Sequence, residues 1–169
     1  MTRETGIDLY DRDFYAWTAD QAERLRRLAG DNRFDVGHVA EEIADLGKAE
    51  KRALQSHLRV ALQHLLLMAA STAGEPRDHW MDEILRHVRE AFDVLGESPS
   101  LRHRVSLTDA WTAAVTDANA KLRIYGEPLI PSDLGCPFHL DDLHPDRFDM
   151  AAAVDALRAG IDGAAADDS

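Results

Sequence analysis

The chain has 169 residues, 45% of them hydrophobic and 30% charged, and a formal net charge of −12. That length suits one domain with a real core, while the acidic balance argues against a broad phosphate-binding surface, which needs clustered Lys and Arg. One cysteine, Cys136, excludes an internal disulfide and fits a reducing compartment.

The longest apolar run, residues 65–70, is far too short to span a bilayer, and residues 1–8 lack the apolar core of a secretory leader. The expectation is a cytoplasmic protein with no membrane partner, and nucleic acid is disfavoured by charge. The acid is unevenly placed. Residues 127–169 hold ten Asp or Glu against Arg147 and Arg158, a net of −8, while residues 1–126 hold 21 acids against 17 bases, a net of −4.

In chain order, Thr18 with Gln21 three residues later reads as a capping box, with Trp17 at the staple position. It predicts a first helix from Gln21 to Ala29, stopped by Gly30. Asp35 can cap the next helix. Val39, Ile43, Leu46, Leu54, Leu58, Leu62 and Leu65 follow helical spacing, broken only by Glu50. The spacing predicts one long helix from about residue 36 to about 70, roughly 50 Å in length.

After a loop at 73–76, Trp80, Ile84, Leu85, Val88, Phe92 and Leu95 mark a third amphipathic helix. Ser98 and Pro99 suit the cap and first position of a fourth, whose apolar positions include Leu101, Val105, Trp111, Val115 and Leu122 and which ends at Gly126. Residues 127–148, with three prolines in the first half, read as an irregular arm whose Leu129, Ile130, Cys136, Phe138, Leu140 and Leu143 cover the bundle. Residues 149–159 suit a short Ala-rich helix and 160–169 an acidic tail. The fold expected is all-α, with helices over at least half of the chain and no sheet. It is a four-helix bundle-like body with an irregular C-terminal arm, organised as one helical domain over 1–148 and a short helix with acidic tail over 149–169.

Five blocks occur in order: Asp13-Phe-Tyr-Ala-Trp-Thr-Ala-Asp-Gln-Ala22, Ala40-Glu-Glu-Ile-Ala-Asp-Leu-Gly47, Glu50-Lys-Arg-Ala-Leu-Gln-Ser-His-Leu-Arg59, His64-Leu-Leu66 and Cys136-Pro-Phe-His-Leu140. Together they resemble the bacterial DUF29 family, over about residues 8 to 148. The resemblance implies an all-helical bundle and brings no established activity, cofactor or partner. Two positions depart from the family pattern: Leu67-Met68 stands where members often carry Lys-Trp, and Trp80-Met81 where they often carry Trp-Arg.

Metal-type residues fall into helical spacings. His38 with Glu42, and His79 with Glu83 and His87, are i, i+4 sets that put ligands on one face. Each is also the pattern of a solvated helix face, and no third ligand is signalled from another helix. His57 and His64 share a face but stand roughly 10 Å apart along the axis, too far for one ion. His64 borders the apolar stripe of Ala61, Leu65 and Met68, where a neutral, hydrogen-bonded imidazole is expected. Glu42 needs a partner if its side of the helix is buried. Ser71, Ser98, Ser100 and Ser106 have no nucleophile-elbow setting, Cys136 reads as a small apolar plug, and no glycine loop cradles phosphate.

The expected function is a small helical interaction or regulatory module without catalytic activity and without cofactor, its partner another protein or a second copy of the chain. The alternative is a metal-dependent or acid/base enzyme built in the bundle from Glu42, His64, or His79 with Glu83.

Overall fold

The computed structural model describes residues 6–28, 34–72 and 76–167. Among them are six α-helices and no strand: α1 (Gly6–Arg12), α2 (Phe14–Arg27), α3 (Val36–Ala70), α4 (Arg77–Glu97), α5 (Leu107–Tyr125) and α6 (Met150–Asp167). Short 3₁₀ turns occupy Pro99–His103 and Leu140–Leu143. The all-helical expectation holds, and α3 is the single long helix that its spacing predicts, opened by the Asp35 carboxylate accepting the His38 N–H at 3.2 Å. Two compact units divide the chain: Met1–Leu54 with Asp93–Val105, and Gln55–Phe92 with Ser106–Ser169.

In the first unit, α2 starts at Phe14, about two turns before the Gln21 expected from the Thr18 capping box. Asp13 is the cap. One of its oxygens accepts the Ala16 N–H at 2.9 Å and the Ser100 hydroxyl at 2.9 Å, and the other accepts the Ser100 N–H at 2.8 Å. The fully buried Ser98 hydroxyl accepts the Tyr15 N–H at 3.1 Å. The open donors of this helix end are thus met twice, by its own cap and by the 3₁₀ turn. Thr18 lies inside the helix and is buried, its hydroxyl donating to the Tyr15 carbonyl at 2.8 Å. The residues expected to stop this helix, Ala29 and Gly30, lie outside those described. Ala40 and Leu54 of α3 are buried here, whereas Leu46, expected inward, is 50% exposed. Glu42 is exposed, so it needs no buried partner.

Gly47 is buried because α2 crosses close to it. A Cβ there would collide with the Thr18 hydroxyl and touch the Tyr15 ring at 3.4 Å.

The second unit holds most of the core. Leu58, Ala61, Leu62, Leu65, Leu66 and Leu67 of α3 are buried with Trp80, Ile84, Val88 and Ala91 of α4 and with Ala114, Ala118 and Leu122 of α5. Leu85 departs from its expected core place, 45% exposed at the edge of the α4 stripe. The predicted fourth helix is divided. Ser98 makes no side-chain cap bond, Pro99–His103 forms a 3₁₀ turn, and α5 begins only at Leu107, where the Ser106 hydroxyl accepts the Asp109 N–H at 3.1 Å. It ends as expected at Gly126, in the left-handed conformation with φ 69°.

The arm lies along α5. The Asn119 amide both donates to the Ile130 carbonyl and accepts its N–H, each at 2.8 Å, and the Trp111 indole N–H reaches the Leu134 carbonyl at 2.7 Å. Ile130 and Leu143 are buried, but Cys136 and Phe138 are only half-buried and Leu129 is exposed, so the arm covers less than expected. Helix α6 runs through Gly160 and Gly163 to Asp167, beyond the expected stop at 159, carried by its alanines.

His64 is 5% exposed, and its Nδ1 donates to the Val60 carbonyl at 3.0 Å. Burial, then the Lys121 charge, lowers its pKa from the ordinary histidine range, against the pull of Glu83. A histidine depressed in this way resists protonation only while folded. Its contribution is present above the unfolded-state value and is lost as pH falls below about 6.5.

Three outcomes follow for stability, each read by urea unfolding. Gly47→Ala destabilises, against the ordinary helix gain of about 0.5–1 kcal/mol for this change, whereas Gly96→Ala, with open space around it, gains. Trp111→Ala, at a side chain only 3% exposed, costs about 3–5 kcal/mol. The loss of stability between pH 8 and pH 5 is smaller in His64→Gln than in the parent chain.

Candidate metal centre

Within the second unit, Gln55–Ala70 of α3 and Arg77–Phe92 of α4 run antiparallel. His57 stands level with His87 and Glu90, and His64 level with His79, their rings 6.1 Å apart. The helical period puts His57 and His64 on one face of α3, and the i, i+3 and i, i+4 spacings put His79, Glu83, His87 and Glu90 on the facing side of α4.

At one end of this polar seam three ligand atoms converge. Nδ1 of His57 is 2.9 Å from Nδ1 of His87 and 3.0 Å from Oε2 of Glu90, and Nδ1 of His87 is 3.4 Å from the same Oε2. Among the described residues this is the one group of three or more His, Cys, Asp or Glu side chains with ligand atoms this close together. His87 is mostly buried, and His57 and Glu90 are partly open to solvent.

Hydrogen bonding alone does not satisfy this triangle. Each ring nitrogen has one in-plane position, holding either a proton or a lone pair. If both Nδ1 atoms carry protons, two N–H groups face each other at 2.9 Å. If only one does, its N–H donates to the other nitrogen, but that bare nitrogen and the Glu90 oxygen then face each other with lone pairs alone. A cation on the axis of the triangle meets a lone pair from each corner. The edges of a tetrahedron with metal–ligand bonds of 2.0–2.1 Å are about 3.3 Å, and the observed edges bracket that length.

The surroundings orient the site. Glu83 Oε2 lies 3.4 Å from the outer nitrogen, Nε2, of His87. Arg86 holds Glu83 at 2.6 Å, touches Glu90 at 3.3 Å and places the same Nη2 2.8 Å from His87 Nε2. The Arg86 guanidinium keeps the Glu83 carboxyl below the usual carboxylate range. Burial, then the Arg86 charge, lowers the His87 pKa from the ordinary histidine range.

The residues singled out from the sequence are dispersed. His38 is exposed and pairs with Asp35 at 2.6 Å in the first unit, and Glu42 is exposed there too. His64 is committed to its helix carbonyl. His79 is exposed beside it, and Glu83 is the outer carboxylate. Only His87 joins the converging set. Its partners His57 and Glu90 are not marked as a set by their spacing in the chain. The signal was present as His87-Val-Arg-Glu90, an i, i+3 pair, and it needed only the α3–α4 register to bring His57 opposite.

The family described as "Domain of unknown function DUF29" matches residues 9–148. A crystal structure of an α-helical protein of unknown function from Rhodospirillum rubrum superposes with a TM-score of 0.75 at 27% identity, covering 92% of this chain and 99% of that one. No curated protein matches. The match over residues 9–148 takes in the metal-type residues and the arm together, and the chain belongs to the DUF29 family.

Proposed function

We propose that this protein binds a divalent first-row transition metal ion through Nδ1 of His57, Nδ1 of His87 and a Glu90 carboxylate oxygen. The observation that carries the reading is the convergence of these three atoms within 2.9–3.4 Å of one another. Two imidazoles and one carboxylate are a donor set for zinc or iron(II) rather than for calcium or magnesium, which favour all-oxygen sites. Three protein ligands leave a further coordination position, and the partial exposure of His57 and Glu90 opens it to solvent or to a small ligand. This reading develops the metal-dependent alternative with a different residue set.

A second reading, the interaction module, draws support from the first unit, where Leu28, Phe34 and Leu46 are each at least half exposed. Large apolar side chains held in water favour burial against a partner. Leu46→Lys tests it: a self-association or partner contact through this face weakens in sedimentation or pull-down, and an unchanged profile counts against it.

For the metal reading, titration calorimetry with zinc ion and the visible spectrum of the cobalt(II) form are expected to give one bound ion per chain. His57→Ala, His87→Ala and Glu90→Ala each weaken binding at least about tenfold, whereas His38→Ala and His79→Ala do not. At zinc concentrations a hundred times the Kd the parent chain gains about 2.7 kcal/mol of stability, a gain that EDTA removes. A full equivalent retained in His57→Ala contradicts the assignment.

A further inference from the structure

We infer that Arg86 is a resident cation competing with the metal: its guanidinium occupies the Glu90 carboxylate and the outer nitrogen of His87, and it must withdraw for the ion to bind. The inference rests on the metal reading above and concerns how that site is regulated.

Two contacts carry it. First, Arg86 Nη1 lies 3.3 and 3.4 Å from the two oxygens of Glu90, so the carboxylate that would ligate the ion already faces a positive charge. A guanidinium and a dication on the same carboxylate repel each other and compete for the same lone pairs. Second, Arg86 Nη2 lies 2.8 Å from Nε2 of His87. Arginine only donates hydrogen bonds, so Nε2 is the acceptor, and a neutral His87 carries its proton on Nδ1. That is the atom turned toward His57 and Glu90, and its lone pair is the one a metal needs.

Metal binding therefore requires the other tautomer. The ring releases its Nδ1 proton to solvent and takes one from solvent at Nε2, with no change in charge. Nε2–H and the Arg86 N–H are then two donors facing each other at 2.8 Å, and Arg86 swings away. Its departure frees Glu83, whose Oε2 is already 3.4 Å from Nε2 and can take that hydrogen bond. The result is a carboxylate–histidine–metal chain, the arrangement that fixes the tautomer and orientation of a ligating imidazole. Arg86 is half-exposed and on the outer side of α4, so it has room to leave without disturbing the core. Glu83 acts through His87 and is a positioning residue in this scheme.

The test uses the full chain, its R86M variant, which keeps an unbranched apolar stem without charge or donors, and R86K, which keeps the charge. Zinc ion alone is the titrant. R86M is expected to bind zinc about tenfold more tightly than the parent chain, and R86K to stay near the parent affinity. Long-range proton–nitrogen NMR of the imidazoles supplies a readout that a purely structural role would not move. His87 should be the Nδ1–H tautomer without metal and the Nε2–H tautomer with zinc in the parent chain, and R86M should lose the Nδ1–H preference. If the parent chain binds zinc while R86M binds it no more tightly, or if His87 is already Nε2–H without metal, the competition is refuted and the metal site stands. If neither chain binds zinc, both fall.

Discussion

The antiparallel packing of the second half of α3 on α4 is the constraint from which the candidate site follows. Leu58, Ala61, Leu62 and Leu65 on one helix and Ile84, Val88 and Ala91 on the other are fully or almost fully buried. Each large side chain among them contributes about 1.5–3 kcal/mol by leaving water. A register slip would move every one of them off its face. The polar residues between these positions have no such freedom. His57, His87 and Glu90 meet because the apolar register puts them at the same level, and the small Ala61 and Ala91 are fully buried in the same helix pair. Electron-rich atoms crowded in this way are costly in a helix pair stabilised by burial alone. A site that gathers them and leaves them partly open to solvent makes chemical sense when a cation joins the group.

The same packing accounts for what the neighbouring polar groups do. His64, one level along the seam, is enclosed by the core and satisfied by its own helix carbonyl, so it remains a structural imidazole. His79 and Glu83 sit at the outer edge, and Arg86 bridges Glu83 and Glu90 over the top of His87. Five ionisable residues within about three turns of α4 thus have distinct environments, set by depth rather than by residue type. Among the carboxylates of the acidic C-terminal part, Asp142 accepts the His139 N–H and Asp149 the Ala152 N–H, so these two cap local turns.

Much of the fold was legible because its determinants are local. The spacing of Leu54, Leu58, Leu62 and Leu65 marks α3 as one helix, and Gly126 stops α5 with the positive φ that only glycine adopts freely. Trp111 is buried where the stripe puts it. The misplacements have long-range causes. The Thr18 capping box is a genuine local pattern, but Asp13 wins because Ser98 and Ser100, more than eighty residues away, join it at the helix end. Leu46 and Leu85 keep helical phase yet face outward, since the stripe is wider than the neighbours available to cover it. The metal-type residues follow the same division. Same-helix pairs such as His38 with Glu42 are visible in one dimension, and among the described residues no third ligand atom joins that pair. The converging set crosses two helices, and its discovery depends on a register that the residue order does not state.

The most direct measurement is a crystal structure of the full chain grown with zinc, with diffraction recorded on both sides of the zinc absorption edge. The account predicts one anomalous peak within about 2.0–2.2 Å of Nδ1 of His57, Nδ1 of His87 and a Glu90 oxygen, with Arg86 turned away from Glu90. An anomalous peak confined to other residues, or none at saturating zinc with the His57–His87–Glu90 triangle unchanged, would contradict it.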